Sequence, residues 1–338
     1  MAGLLEVTDL NVGFRTDDGL VQAVRGVSLD IGPGEVVAVV GESGSGKSVT
    51  AMSMLQLLPP MAEIHGSVKW GDEELLEAPE RRMRAVRGGE IAVIFQDPLS
   101  ALNPVYRVGN QIVEMVLAHQ DISRREAKAR AVEMLGLVGI PQPERRARQY
   151  PHEFSGGMRQ RAMIAMALAN EPKLVIADEP TTALDVTVQA QVLELLVDLT
   201  DRLDTAVMLI THDLGVVAGL ADRVVVMYAG RVVERGTVDE IFEHTSHPYS
   251  AGLLRSLPRL DEGEDSPLVP IGGQPPSMLH PPAGCAFHPR CPHASKAAGC
   301  LDRLPELEPH GSPPHEAACF RSDELLAADL LSRHGVNA

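Results

Sequence analysis

Gly41-Glu42-Ser43-Gly44-Ser45-Gly46-Lys47-Ser48 lies between the β-branched run Val36-Val37-Ala38-Val39-Val40 and an apolar stretch from Val49 to Leu58. The order strand, glycine loop, Lys-Ser and helix predicts a P-loop in an α/β fold with a parallel sheet. The glycines let successive backbone N–H groups curl around phosphate oxygens, and the helix that follows presents its positive end to the same anion. Lys47 then reaches the outer phosphates, and the Ser48 hydroxyl is placed to bind Mg²⁺. Gly41, Glu42, Ser43, Gly44, Ser45, Gly46, Lys47, Ser48 and Val49 are therefore the predicted nucleotide-contacting run. A P-loop names a superfamily, so the task depends on what surrounds it.

Leu174-Val175-Ile176-Ala177-Asp178-Glu179 is an apolar strand that ends in two acids just before Pro180. This suits a Walker B strand: Asp178 holds Mg²⁺ and Glu179 orients or deprotonates the attacking water. Upstream, Phe154-Ser155-Gly156-Gly157-Met158-Arg159-Gln160-Arg161 opens a helix of small residues, Ala162 to Ala169. Ser155 can cap that helix, while Gly156 and Gly157 allow close approach to a γ-phosphate. The segment resembles the signature motif of ATP-binding-cassette (ABC) ATPases, with Phe154 where Leu is usual and Met158 where Gln is usual.

The resemblance implies that Ser155, Gly156, Gly157 and Met158 act in trans on ATP held by a partner subunit. It casts Asp185, in Ala183-Leu184-Asp185, as a D-loop residue along the same dimer interface. Gln96, after Ile91-Ala92-Val93-Ile94-Phe95, resembles the Q-loop glutamine that reaches Mg²⁺ and water. His212, after Val207-Met208-Leu209-Ile210-Thr211, resembles the switch histidine that contacts the γ-phosphate. Either residue alone would read as an ordinary strand-end side chain, and their weight comes from order along the chain. Phe14, supported by Val24, is the candidate for stacking on adenine.

Three further segments narrow the resemblance to the ATPase subunits of oligopeptide, dipeptide and nickel importers. They are Phe95-Gln96-Asp97-Pro98-Leu99-Ser100-Ala101-Leu102-Asn103-Pro104, then Pro180-Thr181-Thr182-Ala183-Leu184-Asp185-Val186-Thr187-Val188-Gln189, then His247-Pro248-Tyr249-Ser250 with a cysteine-bearing tail. The resemblance implies an ATP-hydrolysing subunit that pairs with a second ABC ATPase, commonly a non-identical one. It also implies two transmembrane permease subunits and an extracytoplasmic substrate-binding protein. The permeases would dock near Gln96 and on the helical segment before Ser155. That segment includes the stretch from Ser123 to Leu137, whose Ala127, Ala131, Met134 and Leu135 share one helical face.

The fold expected is an ABC-type nucleotide-binding domain over residues 1–246, with an antiparallel β subdomain and a helical subdomain over about residues 97–158. Residues 247–338 form a small proline- and cysteine-rich extension. The formal net charge of −16 and the lack of any basic tract interleaved with aromatics argue against a nucleic-acid surface. No uncharged apolar run has the length of a membrane span, and no leader pattern opens the chain, so it is expected at the cytoplasmic face of a membrane, held there only through permeases. The other readings are a soluble ABC ATPase acting on nucleic acid or ribosomes, a non-hydrolysing scaffold, and an importer ATPase for nickel or another non-peptide cargo. The first would want tandem cassettes, a coiled-coil or zinc-hook insertion, or a basic surface; the second, a replaced Lys47, Glu179 or His212.

Fourteen of the 25 prolines fall between Pro248 and Pro314, which predicts an extended, turn-rich region short of regular elements. All four cysteines, Cys285, Cys291, Cys300 and Cys319, lie there too. In a reducing compartment clustered cysteines point to metal before disulfides. Four thiolates suit tetrahedral Zn²⁺ or a [4Fe–4S] cluster, and their spacing lacks the paired C-x₂-C knuckles of structural zinc. His288 or His293 could replace one cysteine, with Cys319 the position most open to such a swap. The resemblance implies an iron–sulfur cluster in at least some relatives, which here would staple a tail poor in core residues.

Overall fold

The computed structural model describes residues 3–181, 186–257, 270–311 and 314–331. The chain divides into two compact units. One comprises Met1–Leu4, Ile31–Val36 and Glu74–Ile210; the other comprises Leu5–Asp30, Val37–Glu73 and Thr211–Ala338.

In the first unit the strands Ile91–Ile94, Leu174–Asp178 and Ala206–Thr211 run parallel, with Ile91 opposite Leu174 and Leu174 opposite Ala206. Every residue of the second of these strands is buried, as its unbroken apolar pattern requires of a parallel strand covered on both faces. The helices Val108–His119, Arg124–Leu137, Gly156–Leu168 and Val186–Arg202 belong to the same unit. Ser123 closes a capping box with Glu126, and Ala127, Ala131, Met134 and Leu135 are buried together, so this face of the helix is packed within the chain.

In the second unit the strands Leu5–Thr16 and Gly19–Ile31 form a hairpin about Asp17-Asp18, and Ala62–Trp70 pairs antiparallel with the first of them. The P-loop strand Val36–Val40 runs parallel to Arg223–Tyr228. That strand turns back into Arg231–Thr237 through Ala229 and Gly230, both with positive φ (47° and 77°), the geometry of a primed hairpin turn. The short strands Glu316–Ala317 and Glu308–Pro309 extend this edge, so the C-terminal extension is built into the sheet.

Three expectations are corrected. The helix after the P-loop spans Lys47–Met54 and stops short of Leu58, because Gln56 adopts a left-handed φ of 51° and Pro59 and Pro60 follow. The extension is also less irregular than its proline content predicts. His247 caps a regular helix, Pro248–Arg255: its Nδ1 accepts from the Tyr249 N–H at 3.0 Å, while Pro248 takes the first-turn position where no N–H is needed. Nor is the extension poor in core. Tyr249, Leu254, Ala286 and Phe287 join the buried cluster of Val40, Val226 and Tyr228.

A buried carboxylate ties the hairpin to this helix. Glu234 has no solvent exposure. It accepts from the backbone N–H groups of Ser246 and His247 and from the Thr245 hydroxyl, and His315 Nε2 lies 2.9 Å from it. A buried charge is tolerable only when its lone pairs are satisfied in this way.

Candidate functional site

The loop over residues 41–46 has three glycines with positive φ: Gly41 (153°), Gly44 (78°) and Gly46 (100°). At two of them any side chain would collide with backbone. A Cβ on Gly41 would lie 2.2 Å from the Met227 carbonyl oxygen, and one on Gly46 would lie 2.5 Å from that of Ala23. The Gly230 N–H donates to the Ser45 carbonyl at 2.9 Å, so the hairpin turn braces the loop. Lys47 is almost fully buried, and its ammonium donates to the carbonyls of Gly41 (2.7 Å) and Glu42 (3.0 Å). Ser48 and Val49 lie in the first turn of the helix, half-buried. The Ser45 hydroxyl is buried and makes no hydrogen bond among the described residues. An orphaned buried hydroxyl in a glycine cradle that excludes side chains fits a phosphate-bearing ligand.

Glu42 has partners that the sequence reading did not name. Its N–H donates to Tyr249 Oη at 2.8 Å, and its carboxylate is gripped by Arg290 at 2.6 and 3.0 Å. These groups are therefore engaged with the C-terminal extension. Phe14 is half-buried in its strand opposite Ala62, whereas Val24 is buried in the core and offers little surface to a base. His212 follows its strand, exposed, and the next residue, Asp213, accepts from the Gly215 N–H to start a short helix.

The first unit holds the other predicted groups. Asp178 ends its strand 7% exposed, and Glu179 leaves it in a left-handed conformation with φ of 46°. A non-glycine residue there carries strain that functional positions commonly retain. The Glu179 N–H donates to the Ile210 carbonyl at 2.9 Å, and Gln96 Nε2 donates to Glu179 Oε2 at 3.2 Å. The structure thus brings together the predicted Q-loop amide and the predicted general base. Ser155 caps the helix Gly156–Leu168 by accepting from the Met158 N–H at 3.3 Å, with Ser155 and Gly156 exposed at its start. Phe154 is buried just before them, so the departure from Leu fills a core position. Asp185 lies outside the described residues.

In the extension, Cys285, Cys291, Cys300 and Cys319 all line one small cavity of about 20 Å³, together with Phe287 and His293. The Cys285 N–H donates to the Cys300 carbonyl at 2.9 Å, which joins two of the segments. Burial pushes the Cys285 thiol up to about 11 and Cys291 up to about 12, and raises Cys319. Such thiols are protonated near neutral pH, and metal binding must displace their protons. Among the described residues no three His, Cys, Asp or Glu side chains are gathered closely enough to hold a metal ion. The donor set suits a thiolate-bound metal or cluster, but the sulfurs share a cavity without converging. No helix among the described residues is long and apolar enough to cross a membrane.

Sequence reasoning missed Tyr249 and Arg290 at the P-loop. The available signal was an aromatic residue directly after His247-Pro248, a helix start that sits within a proline-rich stretch.

Residues 24–182 match the family model described as ABC transporter, and residues 233–300 match that of the oligopeptide/dipeptide transporter C-terminal region. Among curated relatives, the oligopeptide transport ATP-binding protein OppD of Bacillus subtilis is 56% identical over 87% of this chain and 82% of its own length. OppD of Salmonella typhimurium is 50% identical over 96% of this chain and 95% of its own. OppD of Mycobacterium tuberculosis is 54% identical over 98% of this chain, which spans 54% of that longer protein. Among solved structures, the dimeric ATP-binding cassette MJ0796 in a post-hydrolysis state with ADP and Pi aligns with a TM-score of 0.62 at 27% identity, over 69% of this chain and 98% of that one. On these matches the chain belongs to the ABC transporter ATP-binding subunits, in the oligopeptide/dipeptide branch.

Proposed function

We propose that this chain is the ATP-hydrolysing subunit of an importer for oligopeptides or dipeptides, coupling ATP turnover to movement of substrate across the cytoplasmic membrane. The observation that carries the cargo class is the match of residues 233–300 to the C-terminal region of oligopeptide/dipeptide transporters, in addition to the nucleotide-binding match. Retention of Lys47, Glu179 and His212 supports hydrolysis over a scaffold role.

In this reading the loop over residues 41–48 binds the phosphates, with Lys47 and the backbone N–H groups as donors, and Phe14 stacks on the base. Ser48, Asp178 and Gln96 would hold Mg²⁺, which supplies charge neutralisation on the phosphates. Glu179 accepts the proton of the attacking water while Gln96 holds its carboxylate in place, and His212 donates to the γ-phosphate. Ser155, Gly156, Gly157 and Met158, with Asp185, complete the site of a second ATPase subunit. We take residues 1–246 as the nucleotide-binding domain, with its helical part over about 97–158, and 247–338 as the extension. The partners are a non-identical ATPase, two permeases and an extracytoplasmic binding protein, with the chain peripheral at the cytoplasmic face.

Purification of the assembled complex tests this. One copy of this chain with one different ATPase and two permeases, and ATP hydrolysis stimulated by a peptide-loaded binding protein, is the expected result. Two copies without a second ATPase would overturn the heterodimer alone; stimulation by nickel and not by peptides would overturn the cargo.

The finer reading of the cysteine cavity is a [4Fe–4S] cluster on Cys285, Cys291, Cys300 and Cys319, with Zn²⁺ as the alternative. The support for this reading is that all four cysteines line one cavity. Protein purified without oxygen should carry about four irons and four sulfides per chain and absorb broadly near about 400 nm. Cys291→Ser should lose the colour and expose residues 285–319 to protease. One zinc per chain in colourless protein would decide for the tetrahedral site, and four freely titrating thiols would remove metal altogether.

A further inference from the structure

Glu42 is an acidic residue inside a loop that, on the reading above, must accept polyanionic phosphate. Left alone, its carboxylate would oppose phosphate binding. The structure turns it instead into the C-terminal extension. Arg290 donates Nη1 to Glu42 Oε2 (2.6 Å) and Nη2 to Oε1 (3.0 Å), a fork-to-fork pair. The remaining donors of this arginine are also placed: Nε goes to the Gly272 carbonyl (2.9 Å), Nη2 to that of Ile271 (3.1 Å) and Nη1 to Tyr228 Oη (3.3 Å). All five N–H groups of the guanidinium are thus directed, and its side chain is only 4% exposed. A cation so fixed and desolvated holds its partner far more firmly than a surface ion pair.

The backbone at the same residue is fixed independently. Tyr249 Oη accepts the Glu42 N–H at 2.8 Å, and the Tyr249 ring packs on Tyr228 (4.5 Å between centroids) and Phe287 (5.4 Å). Phe287 lines the cysteine cavity, and Arg290 immediately precedes Cys291, one of its lining residues. Through Glu42 these contacts reach Lys47, whose ammonium donates to the Glu42 carbonyl.

We propose that Arg290 and Tyr249 are positioning residues for nucleotide binding: from the C-terminal extension they clamp Glu42, neutralise its charge and hold the P-loop in its phosphate-accepting shape. ATP affinity then depends on the integrity of the extension, even though none of its residues is assigned a phosphate contact. The inference rests on the ATP-site reading above.

The test measures ATP affinity by calorimetry on the full chain, with the thermal midpoint recorded for each variant. Arg290→Met should weaken ATP binding roughly tenfold, since it leaves an uncompensated carboxylate on the loop. Tyr249→Phe, which removes a single oxygen and keeps the ring packing, should weaken it about threefold. The double variant Glu42→Gln/Arg290→Met should recover to within about threefold of wild type, because it removes the charge that Arg290 offsets. A purely structural loss would not be relieved by neutralising Glu42. Wild-type affinity in both single variants, or a double variant no better than Arg290→Met, would overturn the clamp while leaving the ATP site standing. A wild-type chain that binds no ATP would overturn both.

Discussion

Glu179→Gln is expected to bind ATP and to hydrolyse it at least about 10²-fold more slowly, the scale of rate a positioned general base contributes. The residue leaves its strand at φ 46°, its N–H is tied to the Ile210 carbonyl, and Gln96 reaches its carboxylate at 3.2 Å. None of these features depends on charge, so a glutamine of the same shape should keep the backbone and still accept from Gln96. What is lost is the capacity to take a proton from water. Steady-state turnover in the assembled transporter, with nucleotide affinity measured in parallel, separates the two effects. Turnover near that of the wild type would remove Glu179 from the role of base.

Lys47→Ala should act on binding itself, with ATP affinity falling at least about 30-fold, the lower range for deleting one member of a desolvated charge pair. The buried ammonium has two tasks here. In the proposed reading it faces the phosphates, and in the structure it bridges the carbonyls of Gly41 and Glu42 across the loop. Its removal deletes a cation and also leaves two carbonyls to find other donors, so loop disorder and charge loss act in the same direction. Unchanged ATP affinity would contradict both tasks.

The parts of this molecule that could be read from the sequence are those whose cause is local. The P-loop announces itself because positive φ at Gly41, Gly44 and Gly46 demands glycine, and the neighbouring strand and helix carry their own periodicity. The shared face of Ala127, Ala131, Met134 and Leu135 is legible for a local reason too, since it follows from helical spacing. Walker B needed only an apolar run and two acids. The extension was misjudged because proline was read as a breaker, when Pro248 sits at the one helical position that tolerates it. The grip on Glu42 had no local signal, since Tyr249 and Arg290 lie 207 and 248 positions away in sequence. Composition also hid the apolar content of the tail: Tyr249 and Phe287 are few in number, yet their rings meet Tyr228 and close a core.

The sheet pairing of the P-loop strand bears on how the chain is made. Val37 to Val40 pair with Arg223 to Val226, and the loop that follows is fastened by Tyr249 and Arg290. At a synthesis rate of roughly 5–20 residues per second, the apolar run at 36–40 waits on the order of 10–40 seconds for its partner strand to leave the ribosome. During that interval it presents an unpaired β-branched edge, the kind of surface that invites association with another chain. Slow closure of such distant contacts is expected to limit the folding rate. Translation at reduced temperature or with added holdase chaperones should therefore raise the soluble yield more than any change that stabilises the finished protein.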